Sequence, residues 1–244
     1  MSERDGLRFQ STAATHAGVV RRLNEDAFLD NPGIGLWVVA DGVGGHAAGD
    51  YASQTLVAAL SRIARPESAI DLLAAVRHQT AMVNANLRAY AENEGVDLTA
   101  TTVAALLCFG RHYAVVWAGD SRVYLLRDGQ LRQLTRDHTM VQELLEGGAI
   151  SPEEALRHPH RNVVTRAVGA ASEIELEMVQ DRLQPGDIFL LCSDGLGKVI
   201  GDDEIADTLR LGAGEAAPDR LIALALERGS PDNVTVVLVE CQDQ

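Results

Sequence analysis

Hydrophobic positions along the chain form short β-branched segments and two long helical patterns. Two patterns with helical periodicity, His46 to Ala64 and Ser68 to Asn93, follow each other directly, and another helix pair is predicted near the C-terminus. Helices grouped in this way, rather than alternating one for one with strands, favour antiparallel sheets. The segments that predict strands are Leu36 to Ala40, Thr102 to Phe109, Tyr113 to Trp117, Arg122 to Leu126, Ile188 to Leu191 and Val234 to Val239. The predicted class is α+β, with helices outside the sheets.

The size and composition of the chain predict one compact domain over residues 1–244. The chain has 244 residues, 46% of them hydrophobic, and it contains no repeat, low-complexity run or long linker. No stretch approaches the roughly 18 consecutive apolar residues of a membrane span, and the segment Met1 to Gln10 is charged. We therefore expect a soluble, cytoplasmic protein. Its three separated cysteines, Cys108, Cys192 and Cys241, are expected to be reduced structural thiols.

The charge of the chain limits its partners. Acidic residues outnumber basic ones 35 to 21, which gives a net charge of −14. Such a charge disfavours nucleic acid or an anionic membrane as the main partner. An anionic substrate would therefore need a locally positive site.

Three Asp-Gly pairs that follow predicted strands differ in their surroundings. Asp128-Gly129 lies between two strand-like segments, a pattern that predicts a tight hairpin turn. Asp41-Gly42 and Asp194-Gly195 instead follow strongly hydrophobic strand segments. A carboxylate at the end of a buried strand is costly unless it is paired or bound to a cation. These two pairs therefore indicate a site for a cation that prefers oxygen ligands.

Three further acidic positions stand beside predicted strands. Asn24-Glu25-Asp26 precedes a short strand, Gly119-Asp120-Ser121-Arg122 joins two strands, and Pro231-Asp232-Asn233 opens the last one. Taken singly, each is more often a turn or a cap than a metal ligand. Together with the two Asp-Gly pairs they form five separate acidic stations.

In this order and spacing the five stations resemble the metal-dependent protein phosphatases, the type 2C serine/threonine family, and in particular its stand-alone bacterial members. The resemblance covers the chain from about Thr12 to Val239. It implies an antiparallel β-sandwich flanked by α-helices on both faces, in α-β-β-α layers. It also implies hydrolysis of phosphoserine and phosphothreonine in proteins.

The resemblance assigns a role to each matching acidic residue. Asp41 is similar to the carboxylate that bridges two metals, with the Gly42 carbonyl on one metal and Asp194 and Asp232 on the other. Glu25 resembles a ligand that acts through water.

Three more positions match the family pattern. Asp26 resembles the neighbour that orients the bound waters, and we include it among the metal-site residues. Arg21 matches the arginine that holds substrate phosphate, with Arg22 as the adjacent alternative. Asp120 matches the position of a third, weaker metal site, which in some members is supported by Asp194.

The chemistry implied by the resemblance uses two divalent cations, and a third is an open possibility. The cations would share a water and direct it at phosphorus without a covalent phosphoenzyme. An oxygen-only ligand set favours Mn²⁺ or Mg²⁺ over zinc. The expected partners are phosphorylated proteins, including a serine/threonine kinase and its substrates, and we expect the protein to be a monomer. By the same resemblance, Glu146 to Arg161 is a mobile flap beside the site.

Two other interpretations remain open. The run Gly42-Val43-Gly44-Gly45-His46-Ala47 matches Gly-x-Gly-x-x-Ala, so a dinucleotide-binding domain is one alternative. Asp41 before the first glycine would place negative charge at a bound pyrophosphate, which disfavours it. The second alternative is a catalytically inactive relative that binds phosphoproteins.

One position departs from the family pattern. Animal members carry a histidine directly after the Asp-Gly pair, where it can protonate the leaving alkoxide, whereas this chain has Val43. Valine cannot donate a proton. His46 is the nearest histidine, and its position at a predicted helix start has an ordinary structural explanation.

Overall fold

The computed structural model describes residues 7–44, 48–212, 214 and 216–243. The strands are β1 (Leu7–His16), β2 (Asp26–Asn31), β3 (Leu36–Val43), β4 (Ala100–Thr101), β5 (Val103–Phe109), β6 (His112–Ala118), β7 (Arg122–Arg127), β8 (Gln130–Gln133), β9 (Glu177–Arg182), β10 (Ile188–Cys192) and β11 (Val234–Asp243). The helices are α1 (Ala48–Ser61), α2 (Ala69–Glu94), α3 (Met140–Glu146), α4 (Pro152–Arg157), α5 (Asp194–Gly197), α6 (Asp202–Arg210) and α7 (Ala217–Glu227).

The strands form two sheets. One sheet has the order β1-β11-β10-β7-β8, and the other has the order β2-β3-β5-β6-β9 with β4 paired to β3. All of these pairs are antiparallel. The antiparallel pairing of β3 with β5, across two consecutive helices, is not the parallel βαβ unit of a dinucleotide-binding domain.

Alternation along the strands creates three hydrophobic cores. In β3, Trp37 packs into the core between the sheets, while its neighbour Val38 belongs to an outer core that also contains Leu56 of α1. In β10, Phe189 faces the inner core and Leu190 packs with the helices of the other outer layer. Successive side chains of a strand point to opposite faces, so apolar residues on both faces require cover on both. The predicted α-β-β-α sandwich is confirmed.

Most predicted elements are found within a few residues of their predicted ends. The second helix begins after its cap Ser68, whose side chain accepts a hydrogen bond from the Asp71 amide, and ends at Gly95 with φ of 66°. The predicted first helix began at His46, which lies outside the described residues, and α1 is described from Ala48. The hydrophobic pattern did not predict β1 and β9, each of which lies at one edge of its sheet. Both carry many polar residues because edge strands are partly exposed.

The predicted flap contains local structure. Its helix α4 has a capping box, in which Ser151 and Glu154 exchange side-chain and backbone hydrogen bonds. The mobility of Glu146 to Arg161 and the single domain over residues 1–244 stay predictions. Among the described residues, no helix is both long and apolar enough to cross a membrane.

Candidate functional site

The acidic stations meet at one edge of the sandwich because neighbouring strands run antiparallel. Asp41 lies near the end of β3 and pairs with Asp26 at the start of β2. Asp194 follows the end of β10, and Asp232 precedes the start of its partner β11. Asp120 lies between the end of β6 and the start of β7. Five segments that are distant in sequence therefore place their carboxylates side by side.

These residues surround a cavity of about 440 Å³. All of the predicted site residues line it except Asp26. The lining residues are Arg21, Glu25, Asp41, Gly42, Val43, Gly44, Leu98, Asp120, Asn162, Val163, Val164, Asp194, Lys198, Asp232 and Asn233. The cavity thus combines five carboxylates with two cationic side chains.

The backbone of Asp41 is held by two threonines. The Asp41 amide donates to the Thr102 hydroxyl at 2.9 Å, and its carbonyl accepts from the Thr102 amide at 2.8 Å and the Thr101 hydroxyl at 3.0 Å. The Thr102 hydroxyl also shares a 2.7 Å hydrogen bond with Ser121, next to Asp120. This network fixes two of the site's carboxylate positions relative to each other.

Burial and mutual repulsion raise the pKa of several carboxyl groups. Burial, followed by the charges of its acidic neighbours, raises the pKa of Asp41 well above its usual range. Burial and the neighbouring charge of Asp194 raise the pKa of Asp120 to about 7. The cluster therefore carries more negative charge than its surroundings stabilise, and added positive charge would relieve it.

Asp26 lies behind the cavity rather than on its wall. Only 3% of it is exposed, and one carboxylate oxygen accepts hydrogen bonds of 2.7 Å from the hydroxyls of Ser193 and Thr235. The other oxygen is buried without a hydrogen-bond partner. Burial raises the pKa of Asp26 to about 7, although both hydroxyls lower it. Its position beside Asp41 suits a residue that orients the site from behind.

Arg21 is held at the cavity by a loop that Asn233 fastens. The Asn233 side chain donates to the carbonyls of Ala17 and Leu23, each at 2.9 Å, and accepts from the Glu25 amide at 2.8 Å. Asn233 had no predicted role. An amide can bridge two ends of a loop because it both donates and accepts.

Arg21, and not its neighbour Arg22, lines the cavity. Its Nε lies 3.0 Å from Asp232 Oδ1, and its Nη2 lies 3.1 Å from Asp232 Oδ2. Half of the Arg21 side chain remains exposed. The guanidinium therefore has donors left for an anion that enters from solvent.

Lys198 is a second cavity residue, besides Asn233, to which the sequence pattern assigned no role. Its Nζ lies 3.0 Å from Asp232 Oδ2 and also forms an ion pair with Asp194 Oδ2. Although burial acts in the other direction, Lys198 and Arg21 together hold the pKa of Asp232 below its usual range. The spacing of four residues between Asp194 and Lys198 is the signal that could have pointed to it.

His138 holds the turn that carries Asp120. Its Nδ1 accepts a 3.1 Å hydrogen bond from the Gly119 amide, and its own amide donates to the Gly119 carbonyl at 2.9 Å. Its Nε2 lies 3.1 Å from Glu177. Nothing in the sequence pattern linked His138 to Gly119, because the two are joined only by the fold.

The donor set fits a hard divalent cation. The cavity offers oxygen ligands, and Asp194 Oδ1 is buried without a hydrogen-bond partner. Within the described ranges, however, no three His, Cys, Asp or Glu side chains are arranged to hold a metal ion as they stand. In this arrangement Lys198 forms ion pairs with Asp194 and Asp232, and Arg21 forms one with Asp232. The residues fit divalent cations once Lys198 and Arg21 release these carboxylates.

Known proteins are similar to this chain in both sequence and fold. Residues 15–223 match the family described as protein phosphatase 2C. The serine/threonine protein phosphatase PstP of Mycobacterium tuberculosis is 42% identical over 241 residues, 97% of this chain and 46% of PstP. This chain thus spans about half the length of that curated relative.

Two solved structures are similar over nearly their whole length. PppA, described as a key regulatory component of T6SS in Pseudomonas aeruginosa, is 44% identical with a TM-score of 0.89, covering 96% of this chain and 98% of PppA. The catalytic domain of PstP in complex with two manganese ions is 40% identical with a TM-score of 0.88, covering 97% of this chain and all of that domain. The chain belongs to the protein phosphatase 2C family.

Proposed function

We propose that this chain is a metal-dependent protein serine/threonine phosphatase. The observation that carries the proposal is the convergence of five carboxylates with Arg21 on one cavity. The similarity to PstP and its family supports the reaction class. Phosphorylated proteins are the substrates, and we extend the proposal to a serine/threonine kinase and its targets.

The proposed cation ligands are the residues at the edge of the sandwich. Asp41 would contact two ions, the Gly42 carbonyl one of them, and Asp194 with Asp232 the other. Glu25 would act through water. The manganese-bound structure of the PstP catalytic domain supports Mn²⁺, and Mg²⁺ suits the same oxygen donors. When bound, the cations would supply Lewis acidity that favours attack of water on phosphorus.

Arg21 is the proposed phosphate-binding residue. A guanidinium can pair two phosphate oxygens at once, which fixes both the position and the orientation of the phosphoryl group. In the structure its Nε and Nη2 contact Asp232, and the two Nη1 hydrogens with the second Nη2 hydrogen are left for phosphate. Cations that take over Asp232 would make the remaining donors of Arg21 available as well.

Without bound cations, the carboxylates of the cavity repel a phosphate group electrostatically. A phosphomonoester is repelled by this cluster and by the net charge of −14. Cations bound by the carboxylates would reverse the sign of the local field. Binding of substrate is therefore expected to depend on prior binding of metal.

Among the described residues, no histidine lines the cavity where it could protonate the leaving oxygen. Val43, which follows Asp41-Gly42, cannot donate a proton. His46, the nearest alternative in sequence, lies outside the described residues. We propose that aryl phosphates are hydrolysed faster than alkyl phosphates, because an alkoxide is the poorer leaving group without an acid.

The test is hydrolysis of a phosphothreonine peptide by the purified chain with Mn²⁺, with Mn²⁺ plus excess chelator, and with neither. Turnover that requires metal and is abolished in Asp41→Asn supports the proposal. An inactive relative would instead bind the phosphopeptide without releasing phosphate. No phosphate release by the metal-loaded parent would overturn the proposal.

A further inference from the structure

Lys198 differs from every other basic residue of the chain. Of the 21 Lys and Arg residues it is the one lysine. It follows α5 directly and its side chain is 21% exposed, inside the cavity of the proposed active site. An ammonium is a compact point charge, whereas a guanidinium is a planar fork, so a lysine resembles a small cation more closely.

The contacts of Lys198 are with the carboxylates that the proposed function gives to one cation. Its Nζ pairs with Asp194 Oδ2 and lies 3.0 Å from Asp232 Oδ2. The same positive charge also acts on Asp120, where it opposes the rise in pKa caused by burial. One ammonium therefore forms ion pairs with two carboxylates of the cluster and stabilises the charge of a third.

We propose that Lys198 is a built-in cation that competes with a divalent cation for Asp194 and Asp232. This inference rests on the proposed function for the identity of the metal ligands. In the metal-free protein the ammonium offsets repulsion among the carboxylates and keeps the cluster folded. A divalent cation that binds the pair must displace the ammonium from the same oxygens.

Competition has a consequence that a plain structural ion pair lacks. Removing a structural ion pair should lower stability and leave metal affinity unchanged or weaker, since the ligands lose their alignment. Removing a competing cation should lower the stability of the metal-free protein and strengthen metal binding at the same time. The two effects of opposite sign distinguish the two roles.

The first experiment measures Mn²⁺ binding by calorimetry, and thermal unfolding in excess chelator, for the parent and Lys198→Met. We expect the dissociation constant for Mn²⁺ to fall at least ~10-fold, and the Tm in chelator to fall. Lys198→Arg, which keeps the charge, should stay within ~3-fold of the parent affinity. Unchanged or weaker Mn²⁺ binding by Lys198→Met overturns the proposal.

Arg161→Met is the matched control because it removes one positive charge near the site. Arg161 lines the adjoining groove of about 620 Å³, which also includes Lys198 and Asp194. If long-range charge alone governed affinity, both Met variants would bind Mn²⁺ more tightly by similar factors, and the proposal would fail. We expect Arg161→Met to change the dissociation constant by less than ~3-fold.

A second measurement uses the parent sequence and does not depend on the folding of a variant. Reductive ¹³C-methylation keeps the lysine charged and labels only Lys198 and the α-amino group. We expect the Lys198 methyl signal to shift saturably during a Mg²⁺ titration, while the α-amino signal serves as the internal reference. A Lys198 signal that is unchanged at saturating Mg²⁺ overturns the proposal.

These readouts separate this inference from the proposed function. If the parent binds Mn²⁺ but releases no phosphate, the proposed function fails, and the affinity ratio still decides the role of Lys198. If the parent is active and Lys198→Met binds Mn²⁺ no better, the inference alone fails. If neither protein binds Mn²⁺, the inference is overturned together with its metal ligands.

Discussion

The same dipeptide serves two different purposes at two ends of this molecule. Asp128 and Gly129 form the turn between β7 and β8, with φ of 51° and 74°, as the hairpin pattern predicted. Asp41, Gly42 and Asp194 line the cavity at the edge of the sandwich, and Gly195 is buried directly after Asp194 in α5. In the turn the aspartate is chosen for its conformation, whereas at the cavity its charge is the relevant property.

The glycines of these pairs differ in the same way. A Cβ on Gly129 would meet no atom within 4 Å, so only its positive φ disfavours a side chain. A Cβ on Gly195 would lie 2.0 Å from the carbonyl oxygen of Asn233, in a helix where φ itself is ordinary. Gly195 is therefore required for space, because the backbone beside Asp232 passes against it.

The largest expected effect tests whether the aspartate charges at the cavity and in the hairpin turn have different roles. Asp41→Asn and Asp194→Asn should each lower kcat at least ~10²-fold, because each removes a proposed metal ligand. Asp128→Asn makes the same chemical change in the hairpin and should leave kcat unchanged, since Asn-Gly also suits this turn. Phosphate release at saturating Mn²⁺ measures all three. Near-normal turnover by either site variant would contradict the assignment.

A second comparison tests whether Gly195 is needed because of close packing and Gly129 because of its positive φ. Gly195→Ala should destabilise the protein by ~1–3 kcal/mol or more, because the new methyl group meets backbone that cannot rotate away. Gly129→Ala should cost about 1 kcal/mol, from positive φ alone. Urea unfolding of both variants in chelator measures the difference. Equal losses would show that close packing at Gly195 relaxes easily.

Sequence context was enough to separate these Asp-Gly pairs because their flanking strands are strongly hydrophobic. The grouped helical patterns predicted antiparallel sheets with helices outside, and the family resemblance implied the two-sheet sandwich. In the structure β3 and β10 are apolar on both faces and are covered on both. The edge strands β1 and β9 escaped prediction because partial exposure admits polar residues that hide their periodicity.

The site was predicted less completely than the fold. Ligand types can be recognised along a chain, but the partners that fix them are joined only by folding. The Asn233 side chain donates to the carbonyl of Leu23, 210 positions earlier in the sequence, and so holds the loop that carries Arg21. His138 accepts a hydrogen bond from the Gly119 amide, although β7 and β8 lie between the two residues in sequence. Lys198 is near Asp194 in sequence, yet its second carboxylate, Asp232, becomes visible only in three dimensions.

An intermediate effect concerns Arg21, the proposed phosphate-binding side chain. Arg21→Ala should raise KM about 10-fold or more with a smaller change in kcat, because charge-assisted hydrogen bonds to phosphate are lost while the metal ligands remain. Arg22→Ala is the adjacent control and should leave KM near the parent value. Steady-state kinetics on the phosphothreonine peptide measures both. The reverse pattern would assign the phosphate to Arg22.

The smallest expected effect concerns Asp120, which lies in a turn yet borders the cavity. Asp120 is 6% exposed, and the neighbouring Gly119 amide donates a hydrogen bond to His138. Because that hydrogen bond does not involve the Asp120 side chain, the turn should survive Asp120→Asn. If Asp120 holds a weaker third ion, the variant should need ~3- to 10-fold more Mn²⁺ for full activity. Titration of activity with Mn²⁺, alongside Tm in chelator, separates the roles. An unchanged titration with a lower Tm would make Asp120 a turn residue, as Asp128 is.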